Sequence, residues 1–421
     1  MPKKKLLMIL GAGSSVAQGM PSVADLNDCM MQWSAERVDV CTGCNYFAEL
    51  WKSLKLYYEA ADSKLRLEPN FEKILGDMVG LATWMTPAPN GNSLRQIISG
   101  DDVPPLDFPT WHPYAPFTNI NAQLTYLLSR LAQHMRILCL RRDSTTRDFQ
   151  RYQQLIAALR DTFDIGLYNL NYDNVALTAW PKAFTGFDPT GRFDPRTVHQ
   201  RRKWNFIYHL HGSVYHTLPP NEPLGSLIQW QHNLNARFND GDSGRSTDRR
   251  SDNKSFPLTT LIVGGFKLDQ LLIEPFQSFY AAFIRHVYEA DAILIGGYGF
   301  GDAHINRALQ NRLAHLGARP PVIVLTKSHS KTDPMQFCGD TWGFDLCETL
   351  SVDGGSFSER GYSAPPSIAE LIAKKTFELS SLYRVAIWHG GFVESVDRLD
   401  GILPWLDGHA PDSVLAPPAN P

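Results

Sequence analysis

The sequence predicts an α/β protein: a Rossmann-like doubly wound parallel sheet with a largely helical insertion. Three observations carry this expectation. Apolar runs of strand length alternate with helix-like segments, and most of those runs are apolar at every position, as strands buried on both faces are. Several of them end in glycine-rich or polar loops, where an open α/β sheet gathers its ligand chemistry.

The first strand candidate is Leu6 to Leu10. It is followed by a long stretch, about residues 22 to 160, dominated by helical periodicity; Leu124, Leu127, Leu128, Leu131, Met135 and Leu138 recur at three- and four-residue spacing and form the core-facing stripe of an amphipathic helix. Within it, Pro87 to Pro116 is rich in Pro, Gly, Asn and Asp and reads as an extended loop. Further strand candidates are Asp164 to Leu170, Phe206 to Leu210, Thr260 to Val263, Ala292 to Gly296 and Pro321 to Thr326. The segment from about Asn235 to Ser255 is too polar to pack, and is expected to be mobile and to lie near the site. After Thr326 the pattern predicts a helix near Ser367 to Leu382, a strand at Arg384 to Trp388 and a tail without order from Ala416 to Pro421. The organisation expected is a ligand-binding catalytic domain from residues 1–21 and 161–330, a helical insertion over 22–160 and a C-terminal α/β extension over 331–421.

At 421 residues and 43% hydrophobic, the chain can bury one large core or two moderate ones. A formal net charge of -3 argues against a chain-wide nucleic-acid surface and leaves a local basic patch open. Lys3, Lys4 and Lys5 precede an apolar run that stops at Gly11, too short for the apolar region of a leader peptide. No run approaches the roughly 18 apolar residues of a membrane span, so the expectation is a cytoplasmic protein without membrane contact. The six cysteines are scattered, and only Cys41 and Cys44 are closely spaced; without a second pair they read as a reduced loop pair.

Four loops carry the chemistry. Gly11-Ala12-Gly13-Ser14-Ser15 follows the first strand, and its glycines would let backbone N–H groups approach a pyrophosphate. The third glycine of the dinucleotide fingerprint is missing, so a plain strand-to-helix turn explains this loop equally well. Asn171-Tyr172-Asp173 offers an amide that both donates and accepts, and His209-Leu210-His211-Gly212-Ser213 offers an imidazole that titrates near neutrality. Gly296-Gly297-Tyr298-Gly299-Phe300-Gly301 then runs from a strand into a helix carrying His304, Ile305 and Asn306.

Each residue also has a purely structural reading. Asn171 is a good helix N-cap, Asp302 reads first as the N-cap of the helix after the last loop, and His211 is a turn residue whose ring backbone groups satisfy. His209, His211 and His216 suggest a metal site, but no carboxylate or cysteine follows at ligand spacing. Gly264 and Gly265 read as a tight turn.

In this order the fragments resemble the sirtuin family, and the prokaryotic sirtuin-like NAD hydrolases of antiphage defence more than the protein deacetylases. The resemblance covers residues 5 to 25 and about 160 to 330, with Asn70-Phe71-Glu72-Lys73-Ile74-Leu75 as a further element of the defence branch. It implies that Asn171 and His211 are the catalytic pair and that Asp173 orders the loop or the ribose. Asn169 is a second amide close by, but the frame set by Tyr172 and Asp173 favours Asn171. Gly11, Ala12, Gly13, Ser14, Ser15, Gly297, Tyr298, Gly299, Phe300 and Asn306 are implied as dinucleotide contacts. Deacetylases carry a four-cysteine zinc module just after the catalytic histidine; no cysteine lies between His211 and Asn306, and no zinc is expected.

NAD is thus expected as the substrate of an NAD glycohydrolase that forms nicotinamide and ADP-ribose and acts by depleting NAD in the infected cell. Two other classes remain: a protein deacylase or ADP-ribosyltransferase, and a non-catalytic NAD or ADP-ribose sensor. Such an enzyme is expected to be restrained by self-assembly into an oligomer, by a partner or by a covering loop. A HerA-type ATPase fits better than an argonaute, because the C-terminal extension is short.

Overall fold

The computed structural model describes residues 2–39, 43–60, 68–84, 116–218, 228–235, 244–249, 255–264, 267–314, 317–328, 341–357 and 366–415. The Pro87 to Pro116 loop lies outside them up to residue 115, as do Cys41, Gly265 and the 416–421 tail.

Strand β1 (Lys5–Leu10) leads through two single 3-10 turns, Ala12–Ser14 and Val16–Gln18, into helices that among the described residues are α1 (Val23–Glu36), α2 (Tyr46–Ala60), α3 (Phe71–Trp84), α4 (Pro116–Arg141) and α5 (Arg147–Thr162). A capping box between Ser22 and Asp25 starts α1, each side chain satisfying a backbone N–H the helix leaves free. Next come β2 (Asp164–Asn169), α6 (Val175–Ala179), α7 (Pro195–His199) and β3 (Asn205–His209). Two small hairpins follow, β4 (His216–Thr217) with β5 (Gln229–Trp230) and β6 (Gly244–Arg249) with β7 (Ser255–Thr259). The chain then returns to the sheet through α8 (Lys267–Gln270), α9 (Phe276–Glu289), β8 (Ala292–Gly296), α10 (Ala303–Leu313) and β9 (Val322–Leu325). It closes with α11 (Thr341–Leu350), α12 (Ile368–Ala373), β10 (Glu378–Leu379), β11 (Val385–Trp388) and α13 (Leu399–Leu406).

Seven strands form the main sheet in the order β10-β11-β9-β8-β1-β2-β3, all neighbours parallel except β10 and β11. This is the doubly wound α/β architecture the apolar runs predict. The two-residue period of a strand explains why β1 is apolar throughout: Leu6, Met8 and Leu10 pack with the helices between β1 and β2, while Leu7 and Ile9 pack with α9 and α10 on the other face. The leucine stripe behaves as read, with Leu124, Leu127, Leu128, Leu131 and Met135 of α4 buried and Leu138 partly buried against the same core. The chain leaves β1 for β2 and β3 on one side and later for β8 and β9 on the other. The crevice at the carboxyl ends of β1 and β8 is therefore the topological switch point.

Three expectations differ from the structure. Thr260 to Val263 is no sheet strand; Leu261 makes an isolated bridge to Gly212, Ile262 N donates to His211 O, and the Tyr172 hydroxyl donates to Ile262 O. Its apolar side chains are buried because the segment lies over the ends of β2 and β3. Gly244–Arg249, inside the segment expected to be irregular, pairs antiparallel with Ser255–Thr259. The C-terminal helix stops at Ala373 rather than near Leu382: Lys375 takes a φ of 49°, which a right-handed helix cannot continue through. The chain then enters β10, and β11 joins the main sheet beside β9.

Candidate active site

The floor of the switch-point crevice is two glycine loops in backbone contact. Gly11 N donates to Gly296 O and Gly13 N to Gly297 O, both at 2.9 Å. A Cβ on Gly297 would lie 2.1 Å from Ser14 N, and Gly297 has a φ of +60°. A Cβ on Gly11 would lie 2.7 Å from Gly297 O. These glycines are therefore required first by each other, with approach to a ligand a second consequence. Gly297→Ala is expected to destabilise the protein by about 2 kcal/mol or more, because clash and backbone strain add. Thermal unfolding would show it, and an unchanged midpoint would contradict the contact.

Beside this floor lies a cavity of about 500 Å³, within the range of small-molecule sites. Of the residues singled out in the sequence, Gly11, Ala12, Gly13, Asn171, Asp173, His211, Gly297, Tyr298 and Gly299 line it. The helical segment adds Leu26, Phe71 and Met135 to its lining, together with Ser22, Asn70 and Glu72. Ser14 and Ser15 are buried behind the floor. Phe300 and Asn306 line a separate cavity of about 280 Å³. Asn306 there holds the loop's shape, its Nδ2 donating to Phe300 O and its Oδ1 accepting from the Tyr298 hydroxyl.

Asn171 follows β2 and ties its loop to the floor. Its Nδ2 donates to Gly11 O at 3.0 Å, Ser15 Oγ at 3.0 Å and Ser14 Oγ at 3.2 Å. A backbone carbonyl can only accept, so the nitrogen must face it, and Oδ1 is the acceptor left for a ligand. The capping alternative for Asn171 does not hold: Asn174 occupies the N-cap of α6, while Asp173 Oδ1 accepts from Val175 N. Asn169 is fully buried beneath, its Oδ1 accepting from Asn171 N, and does not line the cavity. Burial pushes the Asp173 carboxyl upward against its hydrogen bonds from Val175 and Ser15.

His211 lies just past β3, and Gly212 turns the chain sharply there with a φ of +95°. The imidazole is 3% exposed, hydrogen-bonds the Leu170 backbone and leaves Nε2 without a hydrogen-bond partner among the described residues. Burial drives its pKa down to about 3, with Asp302 opposing and Lys267 and His304 assisting. At neutral pH the ring is uncharged, and its free nitrogen is a lone pair.

Facing it is a charged cluster that sequence reasoning did not assemble. His211 Nε2 lies 3.7 Å from Asp302 Oδ1. Asp302 stands at the N-cap position of α10, but its side chain makes no capping bond. It instead accepts from Lys267 Nζ at 2.6 Å, and the same ammonium lies 2.8 Å from Glu72 Oε2 on α3. Burial alone would lower the Lys267 pKa; Glu72 and Asp302 outweigh it and raise it. Burial likewise raises the Asp302 carboxyl, but His211 and Lys267 bring it down to about 2. Since His211 is neutral at pH 7, Lys267 is the lasting cation beside Asp302.

The metal reading moves with the geometry. His209 and His216 pack against Trp230. Among the described residues the grouping with ligand-type atoms close together is His211, Asp302 and His304, within 4.8 Å of one another. Lys267 Nζ already occupies the cation position at Asp302 Oδ1, so the donor set disfavours a metal ion.

Residues 166–343 match the family model described as a SIR2-like domain. No curated protein matches the chain. Among solved structures, a Sir2 homologue in complex with NAD is similar at 12% identity and a TM-score of 0.33, covering 83% of this chain and 89% of its own. A Sir2 homologue mutant in complex with 2'-O-acetyl ADP ribose is similar at 13% identity and a TM-score of 0.33, covering 83% and 95%. Sir2Tm bound to a propionylated peptide is similar at 10% identity and a TM-score of 0.33, with the same coverages. Among the described residues, no helix is long and apolar enough to cross a membrane.

Proposed function

We propose that the cavity binds NAD as a substrate and hydrolyses its nicotinamide–ribose bond, releasing nicotinamide and ADP-ribose. The observation that supports this reading best is one cavity, at the switch point of the sheet, lined by both Asn171 and His211, whose Nε2 has no hydrogen-bond partner among the described residues. The nicotinamide of NAD is a pyridinium. The electron pair of the C1′–N bond leaves with the ring and neutralises it, so no strong acid is required. The oxygen of water bonds to C1′, and its proton passes to His211 Nε2 and then to solvent. Asn171 Oδ1 accepts from the ribose hydroxyls or the water, and the glycine loops take the diphosphate.

In this reading Asn171 and His211 are the catalytic pair, with Gly11, Ala12, Gly13, Gly297, Tyr298 and Gly299 against the dinucleotide. The biological output, by the sequence resemblance, is NAD depletion in a phage-infected cell. An enzyme of this kind needs restraint, by self-assembly, by a covering loop or by a partner, and of the partners a HerA-type ATPase is the one the resemblance favours.

The test incubates the purified protein, alone and with its partner, with NAD and separately with NAD plus an acetylated peptide. Nicotinamide release without peptide is the expected result. Release that requires the peptide would replace this reading by the deacylase one, and tight NAD binding without turnover under any activating condition by the sensor one. Gly299→Ala probes the ligand contact separately: a Cβ there meets nothing within 4 Å of the protein. It is expected to leave the unfolding midpoint unchanged and to weaken NAD binding by about tenfold, as one clash with a bound phosphate or ribose would. Calorimetric titration reads it, and unchanged affinity would remove this loop from the ligand.

A further inference from the structure

Resting on the hydrolase reading, we propose that Asp302 is the positioning residue that makes His211 competent as a base, and that Lys267, held by Glu72 from the helical segment, sets how strongly it acts.

The argument begins with what burial does to an imidazole. In a dry site the neutral ring is favoured, and a proton arriving on Nε2 creates a cation with no water to solvate it. A base placed there works only if a counter-charge is already in position when the proton comes. The groups facing His211 are few. The Leu170 backbone is engaged by the ring, the Tyr172 hydroxyl is turned to Ile262 O, His304 stands 5.6 Å away ring to ring, and Lys267 is a cation. Asp302 is the carboxylate among them, 3.7 Å from Nε2.

That distance is longer than a hydrogen bond, which fits the resting state. A neutral ring with its lone pair toward a carboxylate has nothing to donate, and protonation of Nε2 converts the contact into an ion pair. The side chain of Asp302 is free for this role because it forgoes the capping bond its place on α10 offers. Lys267 then acts as a counterweight. Its ammonium shares Asp302 Oδ1, so it dilutes the pull of the carboxylate on His211 while keeping that carboxylate ionised. Glu72 draws the ammonium from the other side at 2.8 Å and comes from α3, far from the sheet strands in sequence. Basicity at His211 thereby depends on how α3 sits on the crevice.

The two partners should move His211 in opposite directions, which a merely structural role would not do. Steady-state nicotinamide release is measured for wild type, Asp302→Asn, Asp302→Glu and Lys267→Gln at pH 7.5, with tryptophan fluorescence following the folded fraction. Asp302→Asn is expected to lower kcat by about 30-fold or more with KM within about threefold, and Asp302→Glu to recover part of the loss. Lys267→Gln is expected to raise kcat by about threefold or more, because Nε2 becomes the stronger base. Wild-type kcat in Asp302→Asn, a loss confined to KM, or a kcat in Lys267→Gln that stays put or falls would each overturn the proposal. If Asp302→Asn does not fold, the kcat of Lys267→Gln still decides. A wild type that releases no nicotinamide overturns the hydrolase reading itself, and this proposal with it.

Discussion

Alanine at either Asn171 or His211 is expected to cut nicotinamide release by about 100-fold or more, the usual scale for a general base or a positioning group. The two should differ in everything else. Asn171 Nδ2 bonds Gly11 O and two serine hydroxyls, so its removal leaves buried acceptors unpaired and frees the loop after β2 from the floor. Asn171→Ala should therefore lower the unfolding midpoint and weaken NAD binding along with turnover. His211 holds a buried Nε2 that no described residue satisfies. His211→Ala removes that unpaired nitrogen together with the ring's bond to the Leu170 backbone, so it should cost less stability than Asn171→Ala while turnover falls. Nicotinamide release and thermal unfolding of the two variants check this together. A His211→Ala protein with wild-type turnover, or one as destabilised as Asn171→Ala, would contradict the assignment.

The second large effect is acid sensitivity. Burial is the leading cause that lowers His209 to about 4, His211 to about 3, His286 to about 3 and His304 to about 4, and it takes His216 well below its ordinary value. A depressed histidine is neutral in the folded chain, whereas the unfolded chain binds its proton below about pH 6.5. The stability these groups contribute is thus fully present above that pH and is lost as pH falls toward their folded values. By linkage each of the four groups at about 3 to 4 contributes a loss of about 2 kcal/mol by pH 5. Together that is comparable to a whole folding free energy of roughly 5–15 kcal/mol. Asp302 does not take part, since its lowered pKa places its own loss below about pH 4. Urea denaturation at pH 7.5 and 5.5 should show a clearly lower midpoint at the acid pH, and equal midpoints would refute the assignment.

The parts of this protein legible in its sequence are those governed by local pattern. Strands buried on both faces are apolar at every position, and Leu6 to Leu10 and Ala292 to Gly296 could hardly be read otherwise. The α4 stripe is equally plain. Thr260 to Val263 was not legible, because burial alone cannot say whether an apolar run pairs in a sheet or lies across strand ends. The C-terminal helix was overextended because a left-handed Lys375 carries no compositional mark. Asn171 and His211 could be named because short motifs surround them. Lys267, Glu72 and the side-chain role of Asp302 could not: they lie far apart in the chain, and nothing local marks them as partners until the fold brings them together. The position of Asp302 in the sequence suggests a cap, and position says nothing about which partner its carboxylate prefers.

Gly11 and Gly297 meet through peptide groups with no side chain between them. Covalent geometry, not the size of an interchangeable residue, therefore sets the width of the gap at the crevice floor. Adjustment of what the crevice accepts has to come from its side-chain lining, such as Leu26, Phe71 and Met135 of the helical segment, where residues can be exchanged without prising the sheet apart. Such a molecule has an invariant anvil and a replaceable die.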